Sequence, residues 1–100
     1  MTKWSDAEFT LTIPEADLTA ADEIHVTIAQ GRHVVDIDTP TVLGAHEMQV
    51  QLTQQQTSGF ALSAAAEMQV NFMVGGIRRN TDIVTVPVLG NLLEKVIGNE

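Results

Sequence analysis

The chain has 100 residues, 44% of them hydrophobic, with 13 acidic against 5 basic side chains and no cysteine. A chain of this length makes one compact domain that buries about 60–70% of the surface it exposes when unfolded, with no room for a second domain or a deep substrate cavity. Without cysteine there are no disulfides, thiol nucleophiles or cysteine zinc sites, and a net charge of −8 with only Lys3, Arg32, Arg78, Arg79 and Lys95 as scattered cations argues against nucleic-acid or anionic-membrane partners.

Apolar residues alternate along most of the chain, the pattern of half-buried strands. In residues 8–13, Phe9, Leu11 and Ile13 form the inward face, and Pro14 ends the pairing. Residues 23–30 place Ile24, Val26 and Ile28 on one side, and after Gly31-Arg32 the chain resumes as residues 33–38. This is a hairpin in which Gly31 supplies the positive φ of a type II′ turn. Closure there pairs Ile28 with Val35 and Val26 with Ile37, while on the solvated side His25 faces Asp38 and Thr27 faces Asp36.

Residues 47–53 alternate cleanly and stop at the polar run Gln54-Gln55-Gln56-Thr57, where Thr53 and Gln56 have capping-box spacing and predict one helical turn. Leu62 to Ala66 reads as a connection, since three alanines favour helix and the flanks favour extended chain. Residues 67–74 turn Met68, Val70, Phe72 and Val74 inward until Gly75-Gly76 breaks the strand. A loop, Ile77-Arg78-Arg79-Asn80, leads into a strand over 81–88 that Pro87 marks as an edge or as bulged near its end. Beyond it, Asn91 as a cap, Glu94, and Leu92, Leu93, Val96 and Ile97 at helical spacing predict a short helix ending near Gly98. The expected fold is all-β: one domain over 1–100, an antiparallel β-sandwich of six to seven strands, immunoglobulin-like or jelly-roll-like. It carries one helical turn near 53–57 and a C-terminal helix.

Chemistry-bearing residues are sparse. His25, His33 and His46 form no i, i+2 or i, i+4 pair, and a closed zinc site needs four ligands. Asp36 and Asp38 lie on one side of a strand and lack the calcium-loop pattern. Ser5, Ser58 and Ser63 have no nucleophile elbow. Gly75-Gly76 before Arg78-Arg79 is not followed by a helix whose N-terminus would hold an anion, so the two arginines read as exposed hairpin residues able to meet an acidic surface on a neighbour. Phe9, Phe60 and Phe72 are core candidates, and Trp4 either caps an open end of the sandwich or anchors a protein partner. No catalytic residue, metal, cofactor or small-molecule substrate is expected.

Several segments together resemble small proteins encoded in the tail and baseplate regions of phages and prophages of Gram-positive bacteria. They are the first strand through Pro14, residues 24–31, residues 50–57 with Phe60, residues 68–72, and residues 84–88 with Leu92, Leu93, Val96 and Ile97. The run Leu52-Thr53-Gln54-Gln55-Gln56-Thr57 is the most distinctive part, and Ala64-Ala65-Ala66 departs from the more polar approach expected there. The group is similar to the amino-terminal domains of baseplate upper proteins, which implies a β-sandwich that docks onto other virion proteins; as a structural subunit the chain is expected to set its sheet edges and C-terminal helix stripe against such partners or against copies of itself. The resemblance implies a non-enzymatic structural protein made in the bacterial host cytoplasm and carried in the virion; the alternative is a soluble carbohydrate- or peptide-binding module. Trp4, Arg78, Arg79, Leu92, Leu93, Val96 and Ile97 are the expected interface residues, with Leu92 or Ile97 partly exposed in the isolated chain.

Overall fold

Alternation sets one face of each strand against a common core, and the chain answers with two antiparallel sheets. A computed structural model describes residues 1–62 and 64–91; the expected C-terminal helix, with Leu92, Leu93, Val96 and Ile97, lies outside the described residues. Among these, eight strands run in the order β1 (Ala7–Thr12), β2 (Glu23–Gln30), β3 (His33–Ile37), β4 (Thr41–Val42), β5 (Glu47–Leu52), β6 (Ala66–Val74), β7 (Ile77–Asn80) and β8 (Val84–Val86). The smaller sheet has the order β1-β5-β4, the larger β3-β2-β6-β7, with β8 also paired to β6.

The β2–β3 hairpin closes in the expected register, Ile28 opposite Val35 and Val26 opposite Ile37. Gly31 takes φ +58 at its turn, as a type II′ turn requires. On the other side of β2, residues 23–29 pair with residues 67–73 of β6, so that Ile24 faces Phe72, Val26 faces Val70 and Ile28 faces Met68. Met48, Val50 and Leu52 of β5 in the smaller sheet belong to the same buried cluster as these residues. Two opposed inner faces that share one core are the sandwich arrangement. Of the three phenylalanines, Phe60 and Phe72 are buried and Phe9 packs partly buried against the core.

The helical turn forms as α1 (Gln54–Ser58) with both halves of its capping box: the Thr53 side chain accepts from the Gln56 amide, and the Gln56 side chain accepts from the Thr53 amide. Buried Thr57 donates its hydroxyl to the Ser5 carbonyl at 2.8 Å, tying α1 to the segment before β1. Gly59 follows because the His33 ring lies where its Cβ would be, and that ring packs edge-on against Phe60 with centroids 4.5 Å apart. Ala66, placed in a connection by the sequence, is fully buried as the first residue of β6.

The segment after Gly75-Gly76 is a strand rather than the expected loop. Both glycines have positive φ, +59 and +80, the geometry of a type I′ turn that matches strand twist, so Val74 pairs directly with Ile77. Ile77 to Asn80 therefore continues the sheet as β7, and the final strand is confined to Val84–Val86. Between the β7 and β8 pairings, three residues (Thr81, Asp82, Ile83) oppose two of β6 (Gln69, Val70). This is a one-residue bulge, and it sits at the start of β8 rather than near Pro87. Thr81 repairs the ladder there: its amide donates to the Val70 carbonyl at 2.9 Å, and its hydroxyl accepts from the Val70 amide at 3.0 Å. The two-residue β4 was also missed, because a strand that short leaves no periodicity to read.

Replacing Thr81 by Val leaves the amide of buried Val70 without an acceptor and is expected to lower stability by about 1–3 kcal/mol in urea unfolding, whereas Thr81→Ser keeps most of it. Gly59→Ala is expected to cost about 1–3 kcal/mol through overpacking against His33. Because that cost arises at one contact, it shrinks when measured in a His33→Ala background.

Candidate functional site

Strand alternation that buries Ile24, Val26 and Ile28 necessarily turns Glu23, His25 and Thr27 outward. On that outer face of the larger sheet a polar row crosses all four strands. It begins at Asp36 on β3, whose carboxylate meets His25 Nδ1 at 3.0 Å. His25 Nε2 meets Glu23 Oε1 at 2.9 Å. His25 stands opposite Asn71 of β6 in the ladder, and Asn71 Oδ1 accepts from Arg78 Nη2 on β7 at 3.2 Å. Together with Thr27, Phe72 and Met73 these residues enclose an open hollow of about 360 Å³. The hairpin register is the one read from the sequence, but the imidazole reaches the diagonal Asp36 and its own-strand neighbour Glu23 rather than Asp38.

A ring with a carboxylate on each nitrogen can donate to both only as imidazolium. The hydrogen bond to Glu23, then that to Asp36, accordingly raises the His25 pKa above its ordinary value. Its other charged neighbour across the hollow is Arg78, held off by Asn71. Among the described residues no group of three or more His, Asp and Glu side chains is placed to hold a metal ion. His33 and His46 lie elsewhere: His33 Nε2 is 3.2 Å from the Gln56 carbonyl, and His46 Nδ1 is 2.7 Å from the Ala16 carbonyl.

A second feature comes from unequal sheets. Because β7 and β8 share one side of β6 end to end, the larger sheet is four strands wide and the smaller three. At about 4.8 Å per strand the smaller sheet falls one strand short. The gap is an open cleft of about 450 Å³ between β1 and the β7–β8 edge, with Met68, Val70 and Phe72 at its floor and Arg79 and Asp82 on its rim. Along this edge Ile77 is 57% exposed, Ile83 58% and Val84 49%.

Of the expected interface residues, Arg78 and Arg79 sit exposed on β7, and alternation sends them to opposite faces: Arg78 to the polar row, Arg79 to the cleft. Trp4 is partly buried before β1, with φ +64, and its indole nitrogen is shut away from solvent without a hydrogen-bond partner. The polar row was half legible, through the hairpin register. The cleft was not, because it depends on how many strands each sheet holds.

Comparisons with protein-family profiles, with curated proteins and with solved structures found no match.

Since the folded-state pKa of His25 is raised above the unfolded one, its contribution to stability is fully present below the ordinary histidine value and fades as pH rises through the folded value. The urea midpoint of the wild type is therefore expected to fall over that alkaline-going window, and the fall is expected to be smaller in His25→Gln. In an NMR titration Glu23→Gln should move the His25 transition to lower pH.

Proposed function

We propose that this chain is a non-enzymatic structural subunit of a phage or prophage particle, in the tail or baseplate region, working by protein–protein docking. The observation that carries the reading is the β7–β8 edge. Free sheet edges present unpaired amides and carbonyls, and proteins ordinarily blunt them with charge, proline or cover. Here the edge combines three large apolar side chains that are 49–58% exposed, Ile77, Ile83 and Val84, with an adjoining cleft whose floor is core. Exposed apolar side chains along a sheet edge, beside a cleft rimmed by charge, suit a docking face. Other virion proteins are the proposed partners, and the sequence resemblance supplies the particle.

The cleft favours a second reading, a module that takes up a peptide strand, because β1 offers a free strand edge beside apolar side chains to an extended segment.

Mass spectrometry of purified induced particles tests the first reading: the chain is expected at a fixed copy number relative to the other tail proteins. Its absence from particles that are otherwise complete sinks the virion assignment.

A further inference from the structure

The two edges of the larger sheet are chemically unlike. At the β3 edge the outer face carries Asp36, with Asp38 just beyond the strand, while at the β7 edge it carries Arg78. The polar row joins them inside one molecule, from Asp36 through His25 and Asn71 to Arg78. It therefore starts on a carboxylate and ends on a guanidinium, each facing outward from the sheet's open side.

We infer that copies of this chain associate head to tail, the β7 edge of one against the β3 edge of the next, so that the larger sheet continues across molecules. This deepens the docking reading of the free edges and rests on it. Strand direction allows the join: neighbours alternate through β3, β2, β6 and β7, so the next antiparallel strand beyond β7 runs the way β3 does. Setting Arg78 opposite Asp36 of the second copy also sets Ile77 opposite Ile37. Both of these lie on the inner side, Ile77 paired with Val74 and Ile37 with Val26. Outside, charge meets opposite charge, and inside, Ile77 meets Ile37; the next inner pair sets Arg79 opposite Val35, where the aliphatic stem of the arginine faces the valine and its guanidinium stays at the cleft rim.

The same charges disfavour the symmetric alternatives. Two β7 edges would bring Arg78 and Arg79 against their own copies, and two β3 edges would do so with Asp36 and Asp38; like charges directly across an edge are destabilising. A contact between unlike edges is heterologous, and repeated it gives a ring or a filament according to the rotation per step.

The test is charge exchange followed by sedimentation velocity over a concentration series at constant moderate salt. Wild type is expected to show concentration-dependent association. Arg78→Glu alone places Glu against Asp36, and Asp36→Arg alone places Arg against Arg78, so each is expected to associate at least about tenfold more weakly. An equimolar mixture of the two variants restores both attractive contacts and is expected to associate like wild type, as is the double variant by itself. Should Asp36→Arg lose its far-ultraviolet circular dichroism, Asp36→Asn takes its place: alone it is expected to associate more weakly than wild type, and mixed with Arg78→Glu, where one Arg78–Asp36 contact is again possible, more strongly than either variant alone. A wild type that stays monomeric throughout, single variants that associate as wild type does, or a mixture that stays monomeric each overturn the inference. Absence of the chain from particles sinks the virion assignment by a separate measurement, so the two failures are distinguishable.

Discussion

The ladder between β2 and β6 is the constraint on which the rest of the structure depends. Seven residue pairs run along it, and they place Val26 and Ile28, both without solvent exposure, against Val70 and Met68. Side chains alternate with a period of two, so a slip of one residue would expose this whole set and bury Glu23, His25 and Thr27 in its place. Burying those three without partners would cost several kcal/mol each, of the order that polar and charged groups lose on desolvation. The register is thereby fixed, and everything attached to either side of β6 inherits it.

One side of β6 takes β2 and through it β3; the other takes β7 and β8 end to end. The bulge at Thr81 lets the returning chain serve two stretches of one strand in registers that differ by a residue. The Thr81 hydroxyl stands in for a missing carbonyl, so the Val70 amide stays satisfied where the ladder is interrupted. Because β7 and β8 occupy a single position in the sheet, the larger sheet is one strand wider than its partner, and the cleft beside β1 follows from that mismatch.

The outer face obeys the same alternation as the core and turns it to a different use. Residues that cannot be inside line up across four strands, with His25 drawn toward two carboxylates and Arg78 tethered by Asn71. Exposed pairs of this kind contribute little to stability one by one. What they supply is polarity along the sheet: the β3 edge is acidic and the β7 edge basic. In a chain with a net charge of −8, placing two of five cations on one four-residue edge strand distinguishes that edge from the rest of the surface.

The sequence by itself determined the all-β class, the hairpin register around Gly31, the capped turn at Thr53 and the inward sets on β2, β5 and β6. Each of these is a local matter: alternation, turn chemistry and capping act over a few neighbouring residues, and at these places they agree. Only the tertiary structure decided that Ile77 to Asn80 is a strand, that Asp36 rather than Asp38 holds His25, and that the two sheets are unequal in width. A four-residue segment with two arginines becomes a strand because β6 offers it a free edge after a tight turn, and its own residues do not announce that. The partner of His25 is settled by where diagonal neighbours reach across a twisted ladder, and the cleft by the number of strands on each sheet. These are relations between segments distant in the chain, and periodicity within a segment carries no record of them.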